Sequence, residues 1–198
     1  MNNLSYPLQL KFHIATLSND FTAKDANGNV IAYTRQKKWR LKEHVEIYEN
    51  SNRKNVLFEI KASNWLDFNT SYAISEKNGR DLGKVSRKGI HSLWRARYHV
   101  IDADKNDNYI ITEENPFIKF IDETLGEIPI LGFFTGYFFN PSYIAKDKNG
   151  KVILRLKKNP SFFGRKFSLN KVNEISPEDE SLLVMSFMMM ILLERNRG

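Results

Sequence analysis

Twelve consecutive residues near the C-terminus, Leu182 to Leu193, carry a single polar side chain, the hydroxyl of Ser186. Their lead-in has the marks of a helix start. Ser176 can cap, Pro177 fits the first helical position, and Glu178, Asp179 and Glu180 complement the positive end of the helix dipole. The sequence therefore predicts a helix over about 177–193. At ~1.5 Å per residue its apolar run spans roughly 18 Å, well short of a ~30 Å bilayer core. A helix that is apolar all round must be wrapped in apolar material. Four methionines in the run suit an irregular lining, because thioethers adapt to gaps.

The rest of the chain supplies a wrapping. Asp25-Ala-Asn-Gly28, Glu76-Lys-Asn-Gly79, Asp104-Lys-Asn-Asp107 and Asp147-Lys-Asn-Gly150 are four versions of one turn, and Glu49 to Arg53 is a looser fifth. Asn-Gly is the signature of a type I′ hairpin. The flanks alternate or are β-branched and aromatic, as in Asn29 to Thr34, His44 to Tyr48, Val56 to Ile60 and Lys151 to Leu156. Further turn signals fall near 37–39, 64–67, 88–92 and 159–164. The pattern reads as an antiparallel meander of roughly 11 or 12 strands. One other segment departs from it: apolar spacing from Pro116 to about Leu125, closed by Gly126, predicts a short helix. An eight-stranded barrel is filled by its own side chains, whereas a larger can holds a central helix. The expected fold is thus mainly β, a closed antiparallel barrel of about 12 strands enclosing the C-terminal helix, with residues 1–198 forming one domain.

Composition narrows the chemistry. The chain has 198 residues, is 41% hydrophobic, and contains 14 Phe, 8 Tyr and 3 Trp, enough for a sizeable core. With no cysteine, disulfides, thiolate catalysis, zinc–thiolate centres and palmitoylation of this sequence are excluded. The N-terminus lacks a signal-peptide pattern, and no stretch reaches the length of a membrane-spanning helix. A net charge of +7 favours anionic partners.

A Tyr/Phe-rich meander with Asp-x-Asn-Gly hairpins and a final all-apolar helix resembles the LURP-one-related family. That family belongs to the tubby C-terminal-like superfamily, with the phospholipid scramblases. The stretches Gly126 to Gly132 and Asn140 to Gly150 match its central region best. The resemblance implies a 12-stranded barrel around a central helix, in a cytoplasmic domain near a membrane. Tubby domains bind phosphoinositides through basic side chains, although no local motif transfers those positions here. The cysteine cluster of scramblases is absent, and the resemblance implies no catalytic residue.

A basic–aromatic pattern recurs along the chain. Arg35, Lys37, Lys38, Trp39 and Arg40 follow the first Asn-Gly turn. Arg87, Lys88, Trp94, Arg95 and Arg97 follow the second, and Lys157, Lys158, Phe162, Phe163, Arg165 and Lys166 the last. Each set lies one strand beyond its hairpin, so a regular meander gathers all three toward one end. Such a rim suits anionic headgroups, or a nucleic-acid backbone or acidic protein as the alternative. The plainer reading is that these residues solubilise hairpins and guard strand edges. Asp102, Asp104, Asn106 and Glu113 match four positions of a calcium-binding EF-hand loop, but Asp107 replaces its glycine and the flanks read as strands. His13, His44, His91 and His99 have no metal-ligand spacing. There is no nucleophile elbow, phosphate-cradling glycine loop or dinucleotide fingerprint. The expectation is a non-enzymatic cytoplasmic binding or scaffold domain, peripheral to a membrane, with no cofactor and no metal.

Overall fold

The computed structural model describes residues 4–13, 19–36, 44–63, 71–87, 97–114, 142–160 and 166–195. These form twelve strands: β1 (Leu8–His13), β2 (Asn19–Lys24), β3 (Val30–Gln36), β4 (His44–Tyr48), β5 (Val56–Ala62), β6 (Ser71–Glu76), β7 (Asp81–Arg87), β8 (Tyr98–Asp102), β9 (Asp107–Glu113), β10 (Ser142–Asp147), β11 (Val152–Asn159) and β12 (Lys166–Lys171). Each pairs antiparallel with its neighbours in sequence, and β1 pairs with β12, so the sheet closes into a barrel. One helix is present among the described residues, α1 (Pro177–Arg195). The expected barrel and its C-terminal helix are both there. The helix expected over Pro116 to Leu125 lies outside the described residues.

The meander sorts the connections by end. The hairpins β2–β3, β4–β5, β6–β7, β8–β9 and β10–β11 all turn at what we call the lower end. Strands β1, β3, β5, β7, β9 and β11 finish at the opposite, upper end. Closure of the sheet gives every strand two neighbours, which leaves little strand edge for surface lysine and arginine to guard.

The hairpin chemistry differs from the type I′ expectation. A type I′ turn needs positive φ at both central residues, but only the last residue of each turn has it: Gly28 (φ 84°), Gly79 (88°), Gly150 (81°), Arg53 (58°) and Lys105 (68°). Gly28 N–H donates to the Asp25 carbonyl at 3.0 Å, and Gly150 N–H to that of Asp147 at 3.0 Å. The register of all five hairpins shifts at the strand end beside the turn. These are type I turns closed by a left-handed residue and a bulge. Three of them use an aspartate: Asp25 Oδ1 accepts the Asn27 and Asn29 N–H groups at 2.9 and 2.8 Å, and Asp147 and Asp102 act alike. The fourth turn therefore begins at Asp102, two residues before the position read from sequence, with Lys105 in the glycine place.

Helix α1 enters from the lower end. Ser176 caps it, its Oγ accepting the Asp179 N–H at 3.2 Å. The three acids of the first turn are tied to the barrel. Arg80 pairs with Glu178, and Lys171 Nζ lies 3.2 Å from Glu180 Oε1. Burial, followed by Asp179, pushes the Tyr109 hydroxyl pKa up. Every residue from Ser181 to Leu192 is buried. Inward-facing side chains of the strands meet them, among them Leu8, Leu10, Phe12 and Phe21 from β1 and β2, with the Phe12 and Phe21 rings 4.7 Å apart.

Candidate functional site

Six of the twelve basic residues singled out from sequence are described, and strand polarity puts all six at the upper end. Arg35 is near the end of β3, Arg87 ends β7, and Arg97 directly precedes β8. Lys157 and Lys158 are near the end of β11, and Lys166 starts β12. The other six, Lys37, Lys38, Arg40, Lys88, Arg95 and Arg165, lie outside the described residues. Of the described six, two face inward. Arg87 stands opposite Tyr98 and Lys158 opposite Phe167, both core residues, and the Arg87 Nε is buried. Cross-strand partners share a face, so these two cations belong to the barrel mouth. Arg35, Arg97, Lys157 and Lys166 are exposed.

The acids at the same end are occupied. Arg35 forks onto Asp20, with Nε 3.0 Å from Oδ1 and Nη2 2.7 Å from Oδ2. Arg155 does the same to Glu114 at 3.0 and 2.7 Å, and Lys61 pairs with Glu59. Lys11, Arg97, Lys157 and Lys166 form no ion pair among the described residues. The lower end carries both signs: Asp25, Asp102 and Asp147 cap turns and the helix acids Glu178, Asp179 and Glu180 gather there, while Lys24, Arg53, Lys54, Lys77, Arg80, Lys105, Lys148 and Lys151 lie in or beside the same turns.

Among the described residues a groove of about 650 Å³ lies on the outer face of β1–β3, reaching Lys166 of β12 and Asn50 and Ser51 of the β4–β5 turn. Strand register builds it. One cross-barrel row runs Lys166–Lys11–Thr22–Tyr33, and the next joins His13 to Asp20 and Arg35. Asp20 is 5% exposed despite its charge. Its carboxylate accepts the Tyr33 hydroxyl at 2.8 Å in addition to the Arg35 fork, so the floor of the groove is charge-balanced. Burial and Asp20 push the Tyr33 hydroxyl pKa up. His13 Nε2 shares a hydrogen bond with Thr22 Oγ1 at 2.9 Å. Burial, then Lys11, hold the His13 imidazole below its ordinary pKa, with Lys24 adding to this and Asp20 opposing it.

Sequence reading found Arg35 and Lys166 here, weighed His13 only as a metal ligand, and passed over Lys11, Lys24 and Asp20. Alternation in Leu8–His13 marks Lys11 as outward-facing, but nothing local says that β12 will set Lys166 beside it. The calcium-loop resemblance dissolves: Asp102 accepts from Asn106 and Asn108 side chains, and no group of three metal-binding side chains occurs among the described residues. No described helix is long and apolar enough to cross a membrane. No family model matches the chain, and no curated protein or solved structure matches it.

Proposed function

We propose that the barrel is a non-enzymatic binding domain for anionic phospholipid headgroups of the phosphoinositide kind, working at the cytoplasmic periphery of a membrane. The observation that carries this reading is the gathering of cations at the upper end of the barrel. Cations from segments far apart in sequence share the upper end, where Asp20 and Glu114 are paired, whereas at the lower end the turn and helix acids are interspersed with lysines and arginines. A particle so charged approaches an anionic surface with one end forward. Kinship with the LURP-one-related branch of the tubby C-terminal-like superfamily is part of the same proposal. Its support is the twelve-stranded closed sheet with an all-apolar C-terminal helix buried against the strands.

Co-sedimentation with vesicles tests the reading. Neutral vesicles should leave the protein in the supernatant, and vesicles carrying a phosphoinositide should pull it down at low salt. A basic residue near such a surface is worth about 1 kcal/mol, so replacing Arg97, Lys157 and Lys166 together by glutamine should weaken binding on the order of a hundred-fold. Equal binding to both vesicle types overturns the proposal. Preference for an oligonucleotide with a steep salt dependence transfers the surface to nucleic acid instead.

A further inference from the structure

We propose that the groove on the outer face of β12, β1, β2 and β3 is a site for a compact dianion of the phosphate-ester type, and that His13 takes up a proton as the anion enters. The proposal deepens the headgroup reading and rests on it for the sign of the charge; it adds where one anion is gripped and what accompanies its capture.

Three ammonium groups line the groove without a carboxylate partner among the described residues: Lys11, Lys24 and Lys166. Lys11 and Lys166 are direct cross-strand partners. Like charges placed opposite one another on a sheet are destabilising, and no acid among the described residues relieves them. Asp20 is the one carboxylate among the described lining residues, and Arg35 and Tyr33 already occupy it. An anion entering the groove therefore meets uncompensated charge above a balanced floor. The volume of about 650 Å³ falls within the range of small-molecule sites. Tyr33, Val30 and the lysine stems supply apolar walls for the body of such a ligand. The β4–β5 turn bounds the groove at Asn50 and Ser51, which favours a compact ligand over an extended phosphodiester chain. A phosphate ester also presents several peripheral oxygens to several ammonium groups, where a single carboxylate leaves most of the charge unmet.

His13 stands where that charge is felt. Facing it are Lys11 on its own strand, Asp20 and Lys24 on β2, Tyr33 and Arg35 on β3, and Lys166 on β12. With burial and the lysines outweighing Asp20, the ring is neutral near pH 7. A bound dianion reverses the lysines' effect and favours the imidazolium. Binding and protonation are then linked: affinity rises as pH falls through the histidine range and is flat above it.

Sulfate is the discriminating probe, because its own charge is constant between pH 5.5 and 8. Followed by NMR of the His13 ring and by calorimetry in buffers of different ionisation heat, sulfate should bind with proton uptake, and both sulfate and inorganic phosphate should raise the His13 titration midpoint. Lys11→Gln and Lys166→Gln should each weaken binding about five-fold, the equivalent of about 1 kcal/mol. Lys148→Gln, in the β10–β11 hairpin, should not. In His13→Gln the affinity for sulfate should no longer rise toward low pH. Soluble anions that compete with vesicles identify a lipid headgroup as the source. Soluble anions that bind where vesicles do not identify a free phosphate ester; the groove then stands and the membrane reading falls. Vesicle binding with no sulfate or phosphate bound, or anion binding indifferent to Lys11, Lys166 and His13, overturns the groove proposal and leaves the membrane reading intact.

Discussion

A methyl group on Gly83 would stand 2.1 Å from the Ile101 carbonyl oxygen, at a φ of +127° that side-chain-bearing residues rarely adopt. Strand β7 therefore needs glycine at this position to pass β8, where Gly83 pairs with Asp102. Gly83→Ala combines backbone strain with a clash against backbone, and should cost about 2–5 kcal/mol in denaturant unfolding. Unchanged stability would mean that β7 and β8 do not approach as described. Gly28, by contrast, has open space around its missing side chain and needs glycine only for its positive φ. Lys105 and Arg53 hold the same backbone position without being glycine. That substitution explains why one turn was misaligned on sequence alone. Asp104-Lys-Asn-Asp107 resembles its sisters in letters, but the carboxylate that organises the turn is two residues earlier, at Asp102. Asp102 is also the residue that made the loop resemble a calcium site. Its oxygens receive donors from Asn106 and Asn108, which is what a hairpin needs of it.

Helix α1 was the most legible element, because its constraints are local. A run apolar on every side, too short for a bilayer and preceded by Ser176 and three acids, leaves few places to go. Its first turn matches that reading in detail, with the cap at Ser176 and the acids held by Arg80, Lys171 and Tyr109. Ser186 is fully buried and its hydroxyl has no partner among the described residues, so it contributes little to the helix's hold. The strands depend on this helix as much as it depends on them, since their inward side chains pack onto it. Removing the chain from Glu180 onward should therefore abolish cooperative folding. Near-ultraviolet circular dichroism and a thermal melt of the truncated protein would check this, and a soluble truncation with a sharp transition would refute it. Leu183→Ala gives a graded companion, with an expected loss of about 2–5 kcal/mol for a cavity at a fully buried position.

At the scale of the molecule, what sequence leaves out is which distant strands become neighbours. Alternation in β1 and in β12 marks outward residues in each, but the groove exists only because closure sets Lys11 beside Lys166. Basic segments were legible as segments. Their arrival at one end follows from an unbroken meander, whereas the inward turn of Arg87 and Lys158 follows from register, which sequence does not fix. The same accounting exposes the weakest seam of the barrel. Strands β3 and β4 share one registered pair among the described residues, Tyr33 with Tyr48, where β2 and β3 share six. Above that pair the two strands lack a continuous ladder, so local opening there costs less than opening elsewhere. Hydrogen exchange should be faster for the amides of β3 and β4 that face one another above Tyr33 and Tyr48 than for those joining β6 to β7. Uniform protection around the barrel would contradict this. The groove runs beside the seam, reaching Asn50 and Ser51 of the β4–β5 turn below the Tyr33–Tyr48 pair. An anion gripped by Lys11, Lys24 and Lys166 instead bridges β1, β2 and β12, away from that seam. Sulfate should then slow exchange of the amides joining β12, β1 and β2 while leaving the β6–β7 amides unchanged, because a ligand stabilises only the openings that release it.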